Sequence, residues 1–132
     1  EILVIGSLLE KEGIGYEDKK KIYSVIMNRL KLNMKLQIDA TVIFAITGGE
    51  SKLERKLTYA DLKIRNPFNT YRQFGLPPRP ISYVSHKTIE LIFEDYKTDY
   101  LFYFYNSFEK KHIFSLNYKD HLKRLNEYRS NK

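Results

Sequence analysis

Hydrophobic residues in the first turns of the chain recur with helical spacing. At 100° per residue, Ile2, Ile5, Leu8 and Leu9 share one face of a helix over residues 2–12. The sequence Gly13-Ile14-Gly15 ends that helix with two residues suited to a left-handed stop. Glu12 falls in the middle of the apolar face, while Glu10 lies on the far side beside Leu3. A second helix is expected over residues 19–32, with Ile22, Val25, Ile26 and Leu30 inward and Asp18 as its N-cap. The polar-punctuated residues 34–41 lead into the apolar run 42–46, which is too short to assign to helix or strand. Residues 47–57 are rich in glycine and charge and read as a surface loop; residues 58–62 fit one helical turn.

All four prolines lie between Asn66 and Pro80, a rigid and irregular stretch where a binding surface is expected. Ser85 can cap a helix carrying Ile89, Ile92, Phe93 and Tyr96 on one side. Residues 100–105 are wholly apolar or aromatic and read as a buried strand, with residues 112–115 as its hairpin partner. Tyr118, Leu122, Leu125 and Tyr128 mark a closing amphipathic helix. No internal repeat or low-complexity segment interrupts this order. The pattern predicts an α+β fold: one domain over residues 1–132, with amphipathic helices on a small antiparallel sheet (a hairpin near 100–115). The irregular proline-rich segment 66–81 forms its cleft.

Composition narrows the chemistry. A chain of 132 residues can bury roughly two-thirds of its unfolded surface. The absence of cysteine excludes disulfides and cysteine-ligated zinc or iron–sulfur sites. The 23 basic against 16 acidic residues give a net charge of +7, which points towards polyanions. Yet Lys19-Lys20-Lys21, Lys110-Lys111 and Lys123-Arg124 are scattered, without the aromatic interleaving of a nucleic-acid binder; a solvated basic surface accounts for them. The apolar run 2–9 is far short of the roughly 20 residues that span a bilayer. Because the chain opens on Glu1 inside an apolar pattern, it reads as a piece of a longer protein, with a targeting or membrane segment expected upstream.

No glycine-rich phosphate loop occurs, and His86, His112 and His121 lack metal-ligand spacing, so neither a cofactor nor a metal is expected. No G-x-S-x-G elbow is present, and Asp120-His121 reads as a surface pair. Acid–base work by carboxylates remains. On an apolar helix face Glu12 should have its pKa raised, because desolvation disfavours the charged form, and a protonated carboxyl is what a glycosidic oxygen needs from a general acid. A hydrated or ion-paired carboxylate at a helix end is the plainer alternative. Gln37, Asp39 and Thr41, spaced by two, could line one side of an extended segment or simply make a turn. Asn69 and Tyr71 could bind and stack on a sugar, or serve the turn they sit in. His112 and Phe114 share a strand face and either line a cleft or fill a core.

Taken in order, the segments resemble the YceG-like family over nearly the whole chain. Ser7-Leu8-Leu9-Glu10-Lys11-Glu12-Gly13 is similar to the family's A-S-I-[IV]-E-K-E-[TG]. Val25-Ile26-Met27-Asn28-Arg29-Leu30 resembles V-F-x-N-R-L, and residues 34–44 resemble M-x-L-Q-[TS]-D-P-T-V-x-Y. Phe68-Asn69-Thr70-Tyr71, residues 75–81, residues 97–104 and His112-Ile113-Phe114-Ser115 follow in the family's order. Arg79 stands where the family has glycine, Ile38 and Ala40 replace Thr and Pro around Asp39, and Tyr83-Val84 replace a common Asn-Pro. The resemblance implies an endolytic murein transglycosylase, a lyase of the β-1,4 bond between N-acetylmuramic acid and N-acetylglucosamine. It implies Glu12 as acid and then base, with Asn28, Gln37, Asp39, Thr41, Asn69, Tyr71, His112 and Phe114 along the substrate cleft. The implied partners are peptidoglycan glycan strands and peptidoglycan synthases, with no nucleic acid. A membrane helix and a LysM-like subdomain are implied upstream, placing the chain on the periplasmic face of a bacterial inner membrane. The readings in competition with it are a hydrolytic muramidase, with Asp39 as second carboxylate, and a non-catalytic basic module binding cell wall or nucleic acid.

Overall fold

Helix α1 (Ile2–Glu12) is the hub of the structure, and its composition explains why. From Val4 to Leu9 every residue is buried, because the helix carries apolar or small residues around its whole circumference there. Gly6 permits the closest of these contacts: a Cβ there would lie 2.6 Å from Val84 Cγ1. The computed structural model describes residues 1–131. Around α1 pack α2 (Gly15–Lys31), α3 (Asp39–Thr47) and α4 (His86–Glu94). A 3-10 turn, Asp61–Lys63, lies in the long connection between α3 and α4. The hairpin of β1 (Phe102–Asn106) and β2 (Lys111–Ser115) follows, and α5 (Tyr118–Ser130) closes the chain.

The core is one cluster built from Ile5, Leu8 and Leu9 of α1, Ile22, Tyr23, Val25 and Ile26 of α2, Leu91 and Ile92 of α4, and Leu36, Ile38, Ile81 and Phe114. The α+β class and the helices-on-hairpin arrangement follow the sequence pattern. The antiparallel register pairs Tyr103 with Phe114 and Tyr105 with His112, so these four side chains share one face. Phe102 and Phe104 lie on the other face and meet Tyr118, His121 and Tyr128 of α5. Helix α5 has no buried residue and rests on the sheet through these rings.

Several local expectations are corrected. Gly13 caps α1 in an extended conformation (φ −92°, ψ 151°), and the left-handed residue is Gly15 (φ +76°), which opens α2. Helix α2 therefore starts four residues before Lys19, with Ile14 at its N-cap; Asp18 sits in the first turn and accepts from the Ile14 N–H at 2.8 Å. Asp39 begins a helix that continues through residues 42–46, so Gln37, Asp39 and Thr41 do not share an extended face. Gln37 instead has φ +52°, and its N–H donates to the Thr70 carbonyl. Ser85 does cap α4, accepting from the Thr88 N–H. The buried face of that helix is Thr88, Leu91 and Ile92, while Phe93 is 71% exposed. Strand β1 is half-buried rather than buried, since the sheet has only two strands and no second layer over Tyr105.

Candidate active site

Glu12 is the last residue of α1, at the point where extended Gly13 turns the chain towards α2. Its Oε1 accepts a hydrogen bond from the Tyr103 hydroxyl at 2.7 Å, while Oε2 bonds no described residue. Burial pushes the Glu12 pKa up; the Tyr103 bond pulls it down, Asp39 pushes it up, and His112 and Asp18 act in opposite directions. The balance is a carboxyl above the ordinary range, one that holds its proton further towards neutrality than a solvated glutamate.

Tyr103 reaches Glu12 from β1, across from the end of α1. Its ring meets His112 edge-on at 5.3 Å and lies against Phe114 at 5.8 Å. His112 Nδ1 is 2.8 Å from Asp18 Oδ2, which also receives the Ile14 N–H. The hairpin that carries Tyr103 is thus tied to the same α1–α2 junction that fixes Glu12. Burial, then the neighbouring Glu12, raises the Tyr103 phenol well above its ordinary pKa, so it stays a donor. Tyr103→Phe removes the one hydrogen bond that a described residue gives the Glu12 carboxyl. Because the lost bond favours the carboxylate, the Glu12 pKa rises further. The titration midpoint of the Glu12 carboxyl should therefore lie higher in the variant than in the wild type, which carboxyl NMR across a pH series reads.

Two cavities meet at Glu12 and Asp39, which line both. One, about 360 Å³, runs between the end of α1, the Ile43–Phe44–Thr47 side of α3, residues 49–53 and Ile81. The other, about 240 Å³, is lined by Arg29, Leu36, Gln37, Tyr71, Phe102, Tyr103, Tyr118 and His121. Glu12 therefore stands where a mainly apolar lobe meets a polar, aromatic one.

Gln37, Asp39 and Tyr71 are brought together beside Glu12. Asp39 Oδ1 accepts from the Tyr71 hydroxyl, and burial followed by Asp39 raises the Tyr71 phenol above its usual range. Asn28, Thr41, Asn69 and Phe114 stand behind the cleft, lining neither lobe. Asn69 is fully buried, donating to the Leu62 and Ile64 carbonyls and accepting from the Tyr71 N–H, so it shapes the turn that aims Tyr71. Thr41 donates to the Ile38 carbonyl and meets the Thr70 hydroxyl at 2.9 Å. Asn28 donates to the Thr98 and Tyr100 carbonyls and fastens the approach to β1 onto α2. Phe114 belongs to the core, and His112 is held behind Tyr103. From the proline-rich segment the lobes receive Tyr71 and Ile81.

Sequence reasoning misses Tyr103, Arg29, Tyr118 and His121. Tyr103 is hidden in a run that reads as a buried strand. A buried tyrosine hydroxyl needs a polar partner, and that is the available signal. His121 is no surface residue: it is half-buried against Phe102, with ring centroids 5.1 Å apart. Among the described residues no cluster of three or more His, Cys, Asp or Glu side chains could hold a metal ion. No described helix is long and apolar enough to cross a membrane.

The model of the YceG-like family matches residues 1–127. The chain is 37% identical over 132 residues to an endolytic murein transglycosylase of Bacillus subtilis, covering all of this chain and 35% of that protein. It is 34% identical over 137 residues to the endolytic murein transglycosylase of Streptococcus pneumoniae serotype 2, covering 24% of it. The chain thus spans about a third or less of the curated relatives it matches. A crystal structure of a YceG-like protein from Listeria monocytogenes superposes with a TM-score of 0.81 at 38% identity, covering 92% of this chain and 38% of the other.

Proposed function

The chain belongs to the YceG-like family, and on that footing we propose that it is the catalytic domain of an endolytic lytic transglycosylase acting on peptidoglycan glycan strands. The observation that carries this reading is the position of Glu12: one carboxyl of raised pKa that lines two adjoining cavities. An acid so placed has a sugar on either side of the bond it cleaves.

The mechanism uses Glu12 twice. Its proton passes to the glycosidic oxygen as the bond from C1 of the muramyl unit to that oxygen breaks, and the N-acetylglucosamine end leaves as an alcohol. The resulting carboxylate takes the proton of the muramyl C6 hydroxyl while O6 bonds to C1. Glu12 is then protonated again, and no water has been consumed. Giving the proton prepares the base, so one residue suffices. Tyr103 occupies Oε1 and leaves Oε2 for the transfer. Asp39, engaged by the Tyr71 hydroxyl, faces the oxocarbenium-like charge as a fixed negative group rather than as a base for water.

With a strand substrate, the chain works outside the cytoplasm, on the periplasmic side of the inner membrane. In the same reading a membrane anchor and the synthases that supply nascent strands come from beyond this chain, and the cut ends those strands. The deciding measurement is mass spectrometry of digested peptidoglycan. The expected product carries 1,6-anhydromuramyl ends; reducing muramyl ends would make the protein a hydrolase and give Asp39 the role of base.

A further inference from the structure

Arg29 is a buried cation without a counter-anion. The residue is 7% exposed, and its Nε and Nη1 donate to the carbonyls of Leu101, Lys35 and Leu36 at 2.7, 2.9 and 3.1 Å. These partners are neutral. No described carboxylate pairs with it, and its Nη2 bonds no described residue. A buried guanidinium usually faces a carboxylate, because an uncompensated buried charge is expensive. The phenols of Tyr103 and Tyr71 stand near it, and both are held in their neutral form.

His121 lies beside it with the same deficit. Its Nδ1 is buried and makes no hydrogen bond, and neither ring nitrogen bonds any described residue. Phe102 joins the two: the guanidinium sits 4.9 Å from its ring centroid and the imidazole 5.1 Å. Burial, then the charges of Arg29 and Arg129, depresses the His121 pKa and keeps the ring neutral. Both side chains line the polar lobe, whose two acidic members already take hydrogen bonds from phenols, Glu12 from Tyr103 and Asp39 from Tyr71, and neither pairs with Arg29 or His121. The far end of the lobe is therefore positive, donor-rich and unpaired.

We propose that the polar lobe is a carboxylate-binding subsite in which Arg29 and His121 hold a carboxylate carried by the sugar next to the scissile bond. A planar carboxylate fits the free side of a guanidinium and supplies the acceptor that the imidazole lacks. The inference rests on the murein reading, in which a muramyl unit offers that group from two sources. One is its own lactyl carboxylate, free on peptide-free strands; the other is a carboxylate of the stem peptide. The subsite makes the enzyme discriminate among strands by the state of that side group.

The test uses the full natural protein on soluble strands of four kinds: peptide-free, peptide-free with the lactyl carboxylate amidated, peptide-bearing, and peptide-bearing with the peptide carboxylates amidated. The expected result is a drop in kcat/KM of about tenfold or more on amidation in one pair, the scale of a charge-assisted hydrogen bond. The pair that responds names the source. In His121→Phe, which keeps the ring packing on Phe102, and in Arg29→Lys, that preference should collapse towards unity. Equal cleavage of amidated and free strands by the wild type overturns the subsite and leaves the transglycosylase reading standing, with no variant needed. An equal fall on both strands in the His121 variant overturns it too. A wild type that cleaves none of the four overturns both readings.

Discussion

Glu12→Gln, in the full protein assayed on peptidoglycan strands, is expected to lose activity by at least about 10³-fold, because the amide supplies neither the proton nor the base. The fold should survive. The carbonyl of the new amide can still accept from the Tyr103 hydroxyl, and an amide carries no charge into the crowded end of α1. The wild-type carboxyl has a folded-state pKa raised above its unfolded value. Its contribution therefore favours the fold at low pH, and stability falls as pH rises from the unfolded value through the folded one. Removing that group should leave the variant at least as stable as the wild type at pH 7, with a flatter dependence in mildly acidic buffer. Thermal melts across pH 4 to 8, run beside the activity assay, separate the two effects. Retained turnover would remove Glu12 from the chemistry; lost turnover together with a lost melting transition would make it structural.

The same glutamate shows what is legible in the sequence. Period alone puts Glu12 on the apolar face of the first helix, and its burial and raised pKa follow from that placement. The far side of the helix is harder to read. Glu10 sits there, as the period requires, but that side is also covered, because α4 packs on it through contacts far along the chain. A helical wheel shows which residues share a face and says nothing of what lies against the other one. Tertiary packing likewise explains the altered assignments at 39–47 and 15–18. The apolar run 42–46 is helical because α1 offers it a surface, and Asp18 is not the cap because Gly15 can open the helix earlier. Asn28, Thr41 and Asn69 carry the resemblance to the family without facing the cleft; their side chains hold backbone carbonyls at three places where the chain is irregular. Sequence motifs mark such positions as readily as they mark catalytic ones.

Glu10→Ala is the substitution expected to cost most stability, at roughly 3 kcal/mol, the lower range for removing one partner of a buried pair. The Glu10 side chain is 8% exposed. It accepts from Lys19 Nζ at 2.5 Å, from the Thr88 hydroxyl at 3.1 Å and from the Ser85 N–H at 2.6 Å. Those donors come from α2 and from the start of α4, so one carboxylate fastens both helices to α1. Burial alone would push its pKa up, but the bonds from Lys19 and Ser85 bring it below the ordinary value. The sign of the pH effect is thus opposite to that of Glu12. The contribution is present above the unfolded pKa and lost as pH falls through the folded one. Glu10→Gln keeps an acceptor for Ser85 or Thr88 but leaves Lys19 without its counter-charge, and should cost about half as much. Urea unfolding at pH 7 and at pH 4 reads both quantities: a large loss at pH 7 that shrinks at pH 4 supports the ionic clamp. A loss of the same size at both would mean that packing, and not charge, holds α1 against α4. Such a result would also require a Glu10 pKa that folding leaves unchanged, because stability varies with pH only through groups whose pKa folding shifts. The opposite environments of the two carboxyls argue against that outcome.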